Sequence, residues 1–408
     1  MMRGAGEGGR YFALKSISKE RLRCAGCREA LHVRREKEAL LAVQPHPFIV
    51  TLHATFQDRT TLYLLLSLGL GGDLRGMILR YQRHQTPMDD ETSAFYIAVL
   101  VLVLDHLHSC GYAYRDLKPE NVLIDSEGFA LLCDFGTAVH LGSTGRSMTI
   151  VGTWEYAAPE QLKEQGSTMA SDWWALGVIL FECLSGEQPF PSGDDDDPLE
   201  VLDAIYQFGQ ARVSPSWERD VGATRACTSM GRTDQATANP DTNNLAMDDP
   251  AMISAEGLAS DSAPANSHET GKILKQLDRL SVPARNLVNA LLQEDEFTRW
   301  KGTRRPQLHA SRFFADVDWQ ALSSRDVVPP FKPNLLGNAD TRNFAHCSTG
   351  ETILDTMIGA PLEADAVESS SASEGDRVLT SATTVIVDEP AKRPCRRASS
   401  RPSSWSDF

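Results

Sequence analysis

Between residues 31 and 43, apolar Leu31, Ala39, Leu40 and Val43 recur at helical spacing among charged residues, which predicts a helix with one buried face. Pro47-Phe48-Ile49-Val50 and residues 62–66 are short runs rich in apolar, β-branched and aromatic residues, and both read as strands. Residues 92–108 are apolar over most of their length and predict a helix buried on all sides. The longest unbroken apolar run in that helix, 97–104, ends at Asp105. It falls short of the roughly 18–20 apolar residues that cross a bilayer, so no membrane span is expected.

The pattern changes after Pro189-Phe190. Asp194 to Asp197 form an acidic run, and residues 218–267 are rich in Ala, Thr, Asn, Asp, Ser and Gly with few aromatics. Such a segment cannot bury enough apolar surface to offset its ordering, and it predicts a disordered insert. The residues from 347 to the end are Ser-, Ala- and Asp-rich and carry the same expectation. The net charge of −15 sits largely in these segments. It argues against general nucleic-acid binding and suits a cytoplasmic enzyme. The start of the chain is glycine-rich and has no apolar core of a signal peptide. The eight cysteines are scattered, and Cys24-x-x-Cys27 lacks the further ligands of a zinc site, so free thiols are expected.

Three ordered motifs lie within fifty residues: Y-R-D-L-K-P-E-N (114–121), D-F-G (134–136) and A-P-E (158–160). Together they resemble the signature of the eukaryotic protein kinases. The residue types suit phosphoryl transfer. A carboxylate orients the attacking hydroxyl, and cations sit on the phosphate oxygens. The resemblance makes Asp116 the catalytic base and brings Lys118 to the γ-phosphate. Asn121 and Asp134 become oxygen ligands of Mg²⁺. It implies ATP and Mg²⁺ as cofactors and Ser/Thr-bearing proteins as substrates.

The implied fold is α+β and bilobal, with a truncated β-rich small lobe and a mainly helical large lobe. The expected divisions are 1–68, 69–313 with the insert, an appended tail at 314–346, and 347–408. In Y-F-A-L-K-S-I the resemblance makes Lys15 the strand lysine, paired with Glu36 of the first long helix. Ala13, Leu66, Ser67, Leu68, Asp73, Leu123 and Phe344 become ATP-binding positions, with residues 67–69 as the hinge. Asp172 is expected to brace the catalytic loop through backbone N–H groups, and Arg299 to pair with Glu160.

Tyr114 before Arg115, G-T-W-E-Y-A-A-P-E, D-W-W-A-L-G and the segments P-P-F-K-P (329–333) and T-R-N-F (341–344) narrow the resemblance to AGC-type serine/threonine kinases. That group implies Thr149 as an activating phosphosite, set by an upstream kinase and read by Arg115 and His32. Val139 stands where a third cation is expected, so the phosphate site is expected either to be weaker or to read another basic group such as His140, and Trp154 replaces the usual proline. Asp73, Glu120 and Glu182 match acidic positions that read basic residues upstream of the target hydroxyl. Arg396-Arg397-Ala398-Ser399 makes Ser399 a candidate autophosphorylation site, and Trp405-Ser406-Asp407-Phe408 resembles a docking motif. The basic cluster of residues 392–397 is a candidate nuclear signal.

One feature departs from the pattern. Gly4-Ala5-Gly6-Glu7-Gly8-Gly9 fits G-x-G-x-x-G, yet only five residues separate Gly9 from Lys15. A glycine-rich loop joining two strands before the lysine strand does not fit there. The glycines are therefore expected to replace that loop, as in a truncated gene model. The alternative is a catalytically silent scaffold with a kinase fold.

Overall fold

The computed structural model describes residues 12–25, 27–192, 197–212, 267–299, 305–337, 340 and 342–343. The expected insert up to residue 266, the residues from 344 onward and the glycine-rich start lie outside these, while Ser267 at the end of the expected insert opens a helix. Phe344, Ser399 and Trp405 to Phe408 therefore have no structural counterpart here.

The small lobe begins with β1 (Ala13–Ser18), followed by α1 (Lys19–Ala25), α2 (Cys27–Val43), β2 (Leu52–Gln57) and β3 (Thr61–Leu66). The strands form an antiparallel sheet in the order β1-β3-β2. Ala13 pairs with Leu66 and Lys15 with Leu64, so the register sets the strand lysine two residues from the end of β3.

One expected strand is corrected. Of residues 47–50 only Ile49 pairs, in an isolated parallel bridge with Leu132, so the stretch forms no full strand. It instead straddles the large lobe: Val50 N–H donates to Leu132 O at 3.0 Å, and Leu132 N–H donates to Phe48 O at 2.9 Å. The strand proper lies a few residues later, at β2, where exposed His53 and Ala54 follow buried Leu52.

The large lobe is built on two buried helices, α4 (Asp90–Ser109) and α6 (Met169–Ser185). Asp89 caps α4 by accepting from Thr92 N–H, and Thr168 caps α6 by accepting from Ala170 N–H. By length and composition α4 could cross a membrane, but its apolar window is 67% buried within the fold. Packing against α6 accounts for that composition. Trp173 and Trp174 of α6 are fully buried, and Trp174 stacks on Phe190.

Around this core lie α3 (Leu74–Arg83), the short strands β4 (Tyr112–Ala113), β5 (Val122–Ile124), β6 (Ala130–Leu132) and β7 (Val139–His140), and α5 (Pro159–Leu162). They are followed by α7 (Pro198–Arg212), α8 (Ser267–Arg279), α9 (Val282–Leu291), α10 (Arg305–His309) and α11 (Trp319–Ser323). The expected insert falls between α7 and α8.

The chain beyond α11 runs back across the hinge. Arg325 donates to Pro47 O at 3.1 Å and to Glu127 Oε2 at 3.0 Å, and also bonds Asp125. Asn343 Nδ2 donates to Leu70 O at 3.0 Å. Gly72 has φ +87°, and a Cβ there would stand 2.7 Å from Asn343 O. Glycine is needed at this position both for its conformation and for the close approach.

Candidate active site

The loop between β4 and β5 carries most of the chemistry, and Asp172 at the start of α6 holds it. Asp172 Oδ2 accepts from Tyr114 N–H at 2.9 Å, and its Oδ1 accepts from Arg115 N–H at 2.8 Å. His108 Nε2 adds a third contact at 2.8 Å, which the sequence did not reveal. A buried carboxylate is tolerated here because its oxygens are satisfied. The brace is needed because Arg115 sits at φ +73°, a strained conformation for a side chain of its size.

Asp116 follows on the same turn. Its Oδ1 accepts from Thr153 Oγ1 at 3.1 Å, and its Oδ2 lies 3.1 Å from both Lys118 Nζ and Asn121 Nδ2. Lys118 Nζ also donates to Thr153 Oγ1 at 2.8 Å, so Thr153 bridges the two. Burial raises the Asp116 carboxyl, against the opposing pull of Lys118 and Thr153. Gly152, at φ +107°, lets the activation segment pass; a Cβ there would meet Arg115 O at 2.8 Å.

Lys15 brings the two lobes together. Its Nζ lies 2.9 and 3.0 Å from the two Glu36 oxygens and 3.3 Å from Asp134 Oδ1. Burial alone would lower the lysine pKa, but the charges of Glu36 and Asp134 outweigh it and hold Lys15 protonated. Lys15 in turn lowers the Asp134 carboxyl.

These residues fit a metal held together with phosphate. The Asn121 amide nitrogen turns inward, donating to Asp116 O at 2.8 Å, which leaves its oxygen for a cation. Asp134 stays a carboxylate. Two protein oxygens suit a hard cation that keeps water and phosphate as its other ligands.

The nucleotide positions converge on the hinge. Leu123 of β5 lies beneath it: a Cβ at Gly69 would stand 2.9 Å from Leu123 Cβ. Ser67 N–H donates to Thr51 O at 2.9 Å, and Ser67 Oγ accepts from Thr51 N–H at 2.8 Å. The group that Ser67 can offer a base is therefore its carbonyl. Asp73 caps α3 by accepting from Gly76 N–H at 2.7 Å and pairs with Leu123 in an isolated bridge.

The protein kinase domain family matches residues 4–314. The chain belongs to the protein kinase family. The relatives it resembles include AGC-type serine/threonine kinases, the group that the sequence motifs implied. It is 31% identical over 356 residues to the serine/threonine protein kinase ypkA of Aspergillus fumigatus, covering 87% of this chain and 44% of that one. It is 30% identical to the human ribosomal protein S6 kinase alpha-2 (88% and 39%) and 30% identical to the Xenopus laevis ribosomal protein S6 kinase 2 beta (94% and 48%). The chain thus spans less than half the length of these relatives. Protein kinases use ATP and a divalent metal.

Among the described residues, the Arg115 guanidinium makes no hydrogen bond to a carboxylate. It donates to Thr137 O at 2.8 and 2.5 Å, to Ser147 Oγ at 2.9 Å and to Thr149 O at 3.3 Å. Burial, then the nearby charge of Arg35, push its pKa down to about 10. Thr149 itself is exposed. His32 packs beside Gly136 of the D-F-G motif. His140 sits edge-on against Tyr112 at 5.3 Å, and its Nδ1 accepts from Gly142 N–H. Arg35 stands near enough for its charge to oppose that of Arg115. It directly precedes Glu36, and its charge was the available signal. Trp154 does not disturb the turn after Thr153, because Tyr156 N–H still donates to Thr153 O at 3.1 Å.

The expected acidic positions are not all open. Arg75 of α3 contacts both Glu120 and Glu182, a pairing that sequence reasoning missed. The expected Glu160–Arg299 pair forms with two bonds, at 2.8 and 3.0 Å, with the Arg299 side chain fully buried.

Proposed function

We propose that this chain is an ATP-dependent protein serine/threonine kinase. The observation that carries the reading is the convergence of Lys15 on Glu36 and Asp134. It joins the nucleotide-holding strand, α2 and the metal-binding loop in one network. Mg²⁺, held by Asn121 and Asp134, would neutralise phosphate charge. Lys15 supplies a fixed cation for the phosphates, and Ala13, Leu66, Leu68 and Leu123 enclose the base. The substrate hydroxyl gives its proton to Asp116 as the new O–P bond forms and the bond to the ADP oxygen breaks. Lys118 sits beside Asp116 to meet charge on the transferred group.

Thr149 is proposed as the acceptor of an activating phosphate from an upstream kinase. Arg115 and Arg35, with His32, supply the positive field that supports this. Asp73, Glu120 and Glu182 support a preference for basic residues upstream of the target. Ser399 is proposed as an autophosphorylation site and residues 405–408 as a docking element. The overall charge supports a cytoplasmic setting, and the 392–397 cluster a nuclear one.

Incubating the full chain with γ-labelled ATP, a divalent cation and Ser, Thr and Tyr peptides tests the activity. Label on Ser and Thr, abolished by Asp116→Asn in protein that still binds nucleotide, is expected. Label on none of them would sink the proposal.

A further inference from the structure

Arg75 is bound on three sides. Its Nε donates to Glu120 Oε1 at 2.8 Å, Nη1 bonds Glu182 and Nη2 bonds the Tyr156 hydroxyl. Tyr156 donates in turn to Glu182 Oε2 at 2.8 Å. Every nitrogen of the guanidinium is used, in a planar fork that an ammonium could not reproduce.

The cluster borders the reacting centre. Glu120 stands between Lys118 and Asn121 in the chain, and Tyr156 lines the same cavity as Asp116 and Thr153. It also opens to solvent. The Glu182 side chain is 2% exposed, but Arg75 is 24% and Glu120 43% exposed. The Arg299–Glu160 pair, by contrast, is closed at 0% and 5%. A brace between helices has no need of the open side. Glu120 and Glu182 bring two carboxylates to one guanidinium, and Asp73 lies near enough for the charges of Glu120 and Arg75 to act on it. A second cation would have to share or displace the first.

We infer that Arg75 is a built-in occupant of the acidic subsite formed by Glu120, Glu182 and Tyr156. It is a specificity-determining residue that withholds these oxygens from basic side chains of the substrate. Asp73, whose partner is the Gly76 N–H, is left as the carboxylate that reads an incoming cation. The inference rests on the protein-kinase reading above and narrows its preference for upstream basic residues.

Paired serine peptides that differ only in Arg or Gln at one upstream position test it. Arg75→Ala should raise the Arg-over-Gln ratio of kcat/KM by about tenfold at one position where the full chain discriminates by under about threefold. Arg75→Lys keeps a charge beside buried Glu182 and guards against loss of the fold. Lacking the fork, it should raise the ratio part of the way. Calorimetric binding of the same peptides needs no turnover and should show the same shift. A uniform fall in kcat/KM with unchanged ratios, or unchanged peptide preference by calorimetry, would make Arg75 a structural brace and overturn the inference. Transfer to no Ser or Thr peptide would count against the kinase activity instead, and the calorimetric arm would still decide the role of Arg75.

Discussion

Lys15 and Glu36, on a strand and a helix of the small lobe, meet with Nζ 2.9 Å from one carboxylate oxygen and 3.0 Å from the other. The Glu36 side chain is nearly buried, so the pair is shielded and α2 is held against the sheet. The same Nζ reaches Asp134 across the cleft, which ties the helix position to the D-F-G loop.

Glu36→Gln should therefore raise KM for ATP by about tenfold and lower kcat. Lys15 would then lean on Asp134 alone. Nucleotide titration and steady-state kinetics check this, and an unchanged KM would remove Glu36 from the site.

Two carboxyls of the site are shifted in opposite directions from their ordinary value. Lys15 lowers Asp134 below its ordinary 3.8, so this group's contribution to stability is complete above 3.8 and is lost as pH falls through the lower folded value. Burial raises Asp116 above 3.8. A base must be ionised to act, so kcat/KM should fall as pH drops through the raised value. Asp116→Asn should lower kcat by about 10²-fold or more and erase that acidic limb. A pH–rate profile of both proteins checks this.

Thr149→Ala should lower activity about tenfold in protein that is otherwise phosphorylated at this position. Arg115→Ala or Arg35→Ala should blunt the difference between phosphorylated and unmodified enzyme. Mass spectrometry of the activation segment paired with rate measurement decides it. Full activity without phosphate on Thr149 would rule the switch out.

Arg299→Ala should destabilise the large lobe by about 3–5 kcal/mol, because Glu160 would be left buried with Ser171 as its remaining side-chain donor. Replacing both partners by apolar residues, as in Arg299→Met with Glu160→Leu, should recover much of that loss. Urea unfolding of the three proteins measures it. Equal losses in the single and double variants would show that shape, not charge, sets the cost.

The ordered motifs from residue 114 to 160 were enough, by themselves, to specify the chemistry. Asp116, Lys118 and Asn121 share one short loop, so chain connectivity alone brings them together. The apolar run of α4 was legible for a similar reason: a helix buried on all sides needs no partner to be recognised. The long-range ties of Lys15 to Glu36 and of Glu160 to Arg299 were read through family resemblance, not from spacing. What packing decided were contacts that no local pattern encodes. His108 reaches Asp172 across the packed faces of α4 and α6, and Arg35 acts on Arg115 because α2 lies over the activation segment. Residues 47–50 look like a strand but pair only through Ile49, because their neighbour is Leu132 at the end of β6 and not a strand of the small-lobe sheet. Arg75 makes the same point for function. Its sequence neighbours mark it as an ordinary helix arginine, and only the meeting of α3, α6 and the catalytic loop places its fork on Glu120 and Glu182. Side-chain charge is written in the sequence, but which opposite charge it meets depends on distance, and tertiary packing sets the distance.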